Sequence, residues 1–185
     1  EFYMRKNGAS RTSFDTIVAS GVRSSMPHGV ASGEVIEDGD FVTMDFGCVL
    51  DGYCSDMTRT VVVGHCSEKQ REIYDVVLKA QLAAIAEAAA GKKCSDIDSA
   101  ARGIIEDAGY GKNFGHSLGH SVGIEIHEMP CFAPKSGDVA EKNNVITVEP
   151  GIYIENFGGV RIEDVIVIGE TAQNLTKSAK ELIII

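Results

Sequence analysis

Val35-Ile36-Glu37-Asp38-Gly39-Asp40-Phe41-Val42-Thr43-Met44-Asp45-Phe46-Gly47 aligns without a gap on Val139-Ala140-Glu141-Lys142-Asn143-Asn144-Val145-Ile146-Thr147-Val148-Glu149-Pro150-Gly151. Four positions are identical, and Asp45 falls on Glu149. Each block reads as turn residues leading into a strand that ends on a carboxylate. Each then leads to a return strand with a second acid. In the first this is Asp56, within Ser55-Asp56-Met57-Thr58-Arg59-Thr60. In the second it is Glu163, within Val160-Arg161-Ile162-Glu163-Asp164. A shared strand pattern with a shared carboxylate points to an internal duplication.

Asp51-Gly52 is a strong hairpin signal. A turn there puts Asp45 and Asp56 on one face of an antiparallel pair, within reach of each other. A longer loop over residues 156–159 does the same for Glu149 and Glu163. Acids that meet on a sheet face repel and need protons or cations to stay. The strand after Asp56 is otherwise Val61-Val62-Val63, so the site is expected to be largely dry, where unpaired carboxylates are expensive. Any one of these acids alone reads as a solvated or salt-bridged residue. Four at repeated positions read as a metal site.

Between the blocks lies Gly-His-Ser-Leu-Gly-His-Ser-Val-Gly, residues 115–123. Glycines at 115, 119 and 123 suit backbone that approaches something closely, and they argue against a helix that would put His116 and His120 on one face. One histidine is expected to be a ligand and the other a substrate contact. There is no H-E-x-x-H, which excludes that class of zinc protease. Four carboxylates and one imidazole favour Mn(II)-like ions, with Co(II) or Zn(II) as substitutes in vitro.

The rest of the chain frames these pieces. Residues 1–9 read as a helix end, 13–20 as a strand and 22–34 as a loop. Ser67-Glu68-Lys69-Gln70 and Ser95-Asp96-Ile97-Asp98 read as capping boxes. They would open helices over 67–90 and 95–108, each stopped by a glycine. Strands follow at 145–148 and 160–168, with a short apolar one at 181–185. By the symmetry of the repeat, one helix and most of another would precede residue 1, so residues 1–185 are expected to be one catalytic domain lacking its first helices.

Bulk properties narrow the function. Formal net charge is −10 over 185 residues, which disfavours nucleic acid and anionic membranes as partners. No apolar run approaches the roughly 18 residues of a membrane span, and the first residues are neither a signal nor a transit peptide. Five cysteines without a C-x-x-C pair fit a cytoplasmic protein. Cys48 and Cys54 flank one turn and could face each other.

Asp45, Asp56 eleven residues on, G-H-S-x-G-H, then H-E-M-P, V-E-P-G-I-Y and R-I-E-D, in that order, resemble the M24 "pita-bread" metallopeptidases. The Xaa-Pro branch (aminopeptidase P and prolidase) is the most similar. The resemblance runs from Phe14 to the C-terminal end. It implies an α+β pita-bread fold, in which helices cover the outer face of a curved, mostly antiparallel sheet with a pseudo-two-fold repeat. It implies that Asp45, Asp56, His120, Glu149 and Glu163 hold two divalent metal ions, with Asp56 and Glu163 contributing to bridging. His28, His116, His127 and Arg161 would surround the peptide substrate, whose second residue is proline.

The implied reaction is attack by a hydroxide bridging the two metals. Glu149 would take the proton from that water and pass it to the leaving nitrogen. His28 and His127 would donate to the developing oxyanion. Methionine aminopeptidase shares this fold, but Arg161-Ile162-Glu163 favours the Xaa-Pro branch. A non-catalytic binding module would be expected to lose ligands, and all five are present.

One surface expectation follows from the strands. Phe41 and Val42, Val61 and Val62, Val145 and Ile146, and Ile166 and Val167 put apolar residues on both sheet faces, so both need cover. The two helices cover only part. An apolar patch near Phe14, Ile17 and Phe41 is therefore expected, filled by a second copy of the chain in a homodimer or by a preceding N-terminal segment.

Overall fold

Thr43 and Thr147, identical in the repeat, occupy corresponding strands of two antiparallel systems. The structure is a computed structural model that describes residues 1–185. A short helix α1 (Phe2–Lys6) precedes strands β1 (Arg11–Thr12), β2 (Ile17–Ser20), β3 (Phe41–Asp45), β4 (Cys48–Leu50), β5 (Tyr53–Cys54) and β6 (Thr58–Val62). Helices α2 (Glu68–Glu87) and α3 (Cys94–Asp107) follow. The second strand group is β7 (Gly119–Ser121), β8 (Glu128–Phe132), β9 (Val145–Val148), β10 (Gly151–Ile154), β11 (Gly158–Arg161), β12 (Asp164–Val167) and β13 (Gln173–Asn174).

β3 lies between β2 and β6, and β9 lies between β7 and β12, with every ladder antiparallel. Met44 faces Arg59 in the first system and Val148 faces Asp164 in the second. Since Met44 aligns on Val148, Arg59 is the counterpart of Asp164 and, one step on, Thr58 is the counterpart of Glu163. These counterparts bond to each other. The Thr58 hydroxyl donates to Glu163 Oε2 at 2.7 Å, and Arg59 Nη2 donates to Asp164 Oδ1 at 2.7 Å. Corresponding residues meet in this way only beside a two-fold axis. The α+β class and pita-bread architecture read from the sequence are the ones observed.

One apolar cluster joins the strands to the helices. On α2 it takes Ile73, Val77, Ala80 and Ala84, and on α3 Ile97, Ala101 and Ile105, against Phe41, Val62, Ile146, Val148, Ile162 and Ile166. These helical positions recur at three- and four-residue spacing, the stripe that buries one face. No helix is long and apolar enough to cross a membrane.

Several local expectations change. The box at Ser67 is present, with both reciprocal bonds to Gln70. The one at Ser95 is not: α3 starts at Cys94 with Lys93 as its cap. Asp98 is instead fully buried and held by Arg102, so its carboxylate has a stronger partner than a helix end. Residues 160–168 are two strands, interrupted at Ile162 and Glu163. Asp51 and Gly52 both take positive φ, +52° and +88°, which makes the tight turn their sequence signals. That turn sets Cys54 opposite Val49, and Cys48 faces Thr12, so the two thiols are not paired.

The expected apolar patch is absent. Phe41 is 2% exposed and Ile17 8%. The β10–β11 hairpin reaches across, placing Gly158 and the Phe157 ring against Phe41. Phe14 lines the cavity described next. Cover for this face comes from a hairpin of the other half and not from helices alone.

Candidate metal and peptide site

Asp45 ends β3, Glu149 directly follows β9, and Glu163 sits in the break between β11 and β12. Asp56 lies in the bend before β6, two residues ahead of Thr58, so the acid of the first half is offset from the position that matches Glu163. His120 is the middle residue of β7. Gly119 before it has no room for a side chain, because a Cβ would run into the Thr147 carbonyl. That contact brings β7 close enough to β9 for the His120 N–H to donate to Thr147 Oγ1 at 3.0 Å. Gly115, by contrast, faces open space.

All nine residues singled out from the sequence line one cavity of about 570 Å³: His28, Asp45, Asp56, His116, His120, His127, Glu149, Arg161 and Glu163. The His120 Nδ1–H donates to the Ser121 carbonyl at 3.1 Å, which leaves the Nε2 lone pair free. Nε2 lies 3.3 Å from Glu149 Oε1 and 3.6 Å from Asp56 Oδ2. Donor atoms of Asp56, His120 and Glu163 lie within 4.8 Å of one another. Asp45 Oδ2 accepts from Arg161 Nη2 at 2.5 Å, whereas Asp45 Oδ1 is buried with no partner. The His127 ring stands 4.4 Å from that of His120.

Electrostatics make the same point. Burial, with Asp45 and Glu149 close by, pushes Asp56 up to about 8. Glu149 is raised well above the usual carboxylate range by burial and by Glu163. Glu163 is raised in the same way by burial and by Asp56. Burial lowers His120 and holds its ring neutral. Clustered acids that resist ionising, an orphaned buried oxygen and a neutral imidazole with a free lone pair are what divalent cations would satisfy together.

Arg161 lines the cavity with the other expected site residues, and its donors are spent on the protein. Nε donates to Thr58 at 3.1 Å, Nη1 to the Pro27 carbonyl and to Tyr153, each at 3.0 Å, and Nη2 to Asp45. Its donors are directed at the frame of the site. Tyr153 is a residue the sequence reading quoted without a role. Its hydroxyl donates to His116 Nε2 at 3.0 Å, because His116 Nδ1–H is already given to the Ser117 carbonyl. Burial lowers His116 to about 4, so Nε2 is an acceptor at neutral pH. Thr58 was also missed, and its only signal was the register that pairs it with Asp45.

Comparisons with known proteins bear on the fold and the family. The chain is 53% identical over 184 residues to an Xaa-Pro dipeptidase of Pyrococcus furiosus, covering 99% of this chain and 53% of that one. The structure of an Xaa-Pro dipeptidase from Bacillus anthracis superposes with a TM-score of 0.98 at 55% identity, over 100% of this chain and 52% of that one. An X-Pro aminopeptidase from Thermotoga maritima superposes with a TM-score of 0.97 at 44% identity, over 100% and 53%. The chain thus spans about half the length of the curated relatives it matches. The profile of metallopeptidase family M24 matches residues 1–170. With the fold, the acid cluster and the profile in agreement, the chain belongs to metallopeptidase family M24.

Proposed function

We propose that the protein hydrolyses the bond between an N-terminal residue and a following proline, with dipeptides as its first substrates. The observation that carries this is the gathering of five ligand-type residues with His28, His116, His127 and Arg161 in one cavity. The names of relatives at 52–55% identity support it. Asp45, Asp56, His120, Glu149 and Glu163 would hold two divalent ions, and their oxygen-rich set favours Mn(II) over Co(II) or Zn(II). Bound there, such ions supply a water acidic enough to attack at neutral pH and a Lewis acid for the peptide carbonyl.

The side chains do the rest. Glu149 Oε1 accepts from Thr147 at 3.2 Å, which orients its carboxylate. Glu149 takes a proton from the attacking water and delivers it to the prolyl nitrogen, general base and then general acid. That nitrogen is tertiary and leaves poorly unless protonated, so the delivery decides the rate. His28 and His127 donate to the carbonyl oxygen as it gains charge. Arg161 fixes Asp45 and Thr58 and thereby the acids they touch. The five cysteines are free thiols, which fits a cytoplasmic location.

The test is a substrate panel with Mn(II): Ala-Pro, Ala-Pro-Ala and Met-Ala-Ser. Release of alanine from the first, with Met-Ala-Ser untouched, is expected. Preference for Met-Ala-Ser would move the protein to the methionine aminopeptidase type, and no cleavage of any would reject the reading.

A further inference from the structure

The segment that carries His116 has almost no hydrogen bonds of its own. Residues 115–118 form neither helix nor strand. What fixes them lies on the far side, on α3. Arg102 Nε and Nη2 grip the two oxygens of Asp98 at 2.7 and 2.9 Å. The same guanidinium donates to the Phe114 carbonyl from Nη1 at 3.0 Å and to the His116 carbonyl from Nη2 at 2.9 Å. It also stacks on the Phe114 ring at 4.2 Å. Asp98, fully buried, accepts the Leu118 N–H at 3.1 Å. One ion pair therefore holds the segment at residues 114, 116 and 118.

The clamp reaches the site by two routes. The Leu118 carbonyl accepts from the Glu149 N–H at 2.8 Å. His116, held by its own carbonyl, meets Tyr153, which Arg161 also contacts. Neither Asp98 nor Arg102 lines the cavity. A planar fork suits this task and a lysine does not, because only the fork can grip a carboxylate and two carbonyls in fixed directions.

We propose that Asp98 and Arg102 are positioning residues for substrate binding, which they serve by setting where His116 presents its ring. The inference rests on the Xaa-Pro hydrolase reading for its kinetic test and on geometry alone for its spectroscopic one. Arg102→Lys keeps a charge beside Asp98 but loses the fork. It is expected to raise KM for Ala-Pro about tenfold to a hundredfold, with kcat changed much less and the bound metal content unchanged. In a His116→Ala background the same substitution is expected to add nothing, since Asp98 still holds the Leu118 N–H on the route to Glu149 and the bonds lost act through the His116 ring. If Arg102→Lys does not fold, the double variant Asp98→Asn, Arg102→Gln removes the fork without leaving a buried charge and is expected to show the same rise.

A KM within twofold of the parent, or full additivity with His116→Ala, overturns the proposal. The ring-nitrogen NMR signals of His116 keep the two readings apart. They are expected to shift in the fork-less variant whether or not Ala-Pro is cleaved. An unchanged signal rejects the clamp, whereas an inactive parent protein rejects only the hydrolase reading.

Discussion

In the first half Ala19 lies opposite Thr43, on the strand beside the one that ends in Asp45. In the second half His120 stands beside Thr147, on the strand next to the one that leads to Glu149. The backbone plan is shared, and even the threonine is kept, but one half presents a methyl where the other presents an imidazole. The acids diverge in the same way. Glu163 sits at the position matched by Thr58, and the first half supplies its second carboxylate from Asp56, two residues earlier. A duplicated frame thus gives a site whose two sides are chemically unequal: oxygens alone on one side, oxygens and a nitrogen on the other.

The largest expected effect tests that inequality. Glu149→Gln should lower kcat about a thousandfold or more, since it removes the proposed proton carrier along with a proposed ligand charge. Asp45→Asn, its counterpart, removes a proposed ligand charge and the ion pair with Arg161 but no proton carrier. Steady-state rates over graded Mn(II) should show Asp45→Asn partly restored by excess metal and Glu149→Gln not restored. Equal recovery would make the halves equivalent after all.

The junction between the halves should respond next. Asp164 is fully buried and accepts from Arg59, Lys180, Gln81 and Asn174. Burial alone would raise its pKa, but the bonds from Lys180, Arg59 and Gln81 outweigh this and hold the carboxyl below its usual range. Asp164→Asn should cost about 3–5 kcal/mol in urea unfolding, because it strands the buried Arg59 and weakens the hold on the half-buried Lys180. Arg59→Met should cost less, with Lys180 still facing Asp164. The reverse order would mean that the axis is held by Arg59 and the C-terminal carbonyls it binds.

A third effect is read in pH. Asp56, Glu149 and Glu163 have raised pKa values in the fold. Between the ordinary carboxylate range and about 8 the native state therefore binds more protons than the unfolded one, and stability falls as pH rises. His116 and His120 are lowered, so they act in the opposite sense below their ordinary value near 6.5. The clean window is pH 6.5–8. Metal-free protein should lose Tm across it, and saturating Mn(II) should shrink or invert that loss by replacing protons with cations. A flat metal-free profile would show that the acids are not crowded.

The smallest effect separates two helices of the second half. Ser67→Ala should cost about 1 kcal/mol, as an N-cap with both reciprocal bonds does. Ser95→Ala should be near silent, since α3 is not capped there.

These two serines also show what the sequence made legible. Both carry the same local signal, and a local signal cannot report that Asp98 is buried between the half-buried Arg102 and the Leu118 N–H, twenty residues on. The repeat, the hairpin at Asp51-Gly52 and the pairing of Asp45 with Asp56 and of Glu149 with Glu163 were readable, because each depends on spacing within a strand pair or a turn, whereas His28, His116, His127 and Arg161 were placed by the family resemblance. Thr58 was not readable, since its role comes from contacts across the two halves, and Tyr153 was not, since its partners His116 and Arg161 come from separate segments of the chain. The cover on Phe41 stayed hidden for the same reason: it belongs to a hairpin more than a hundred positions later.

That separation has a consequence for how the molecule is made. Thr58 and Glu163 are 105 residues apart, and Asp45 and Arg161 are 116 apart. Pairings this distant form slowly and late, after the loops between them have closed. A chain still emerging from the ribosome carries its first two acids and a finished hairpin, but no Arg161 to hold Asp45 and no Glu163 to face Thr58. The acid cluster cannot assemble before the final strands dock, so synthesis itself keeps the site unformed until the chain is whole enough to fold.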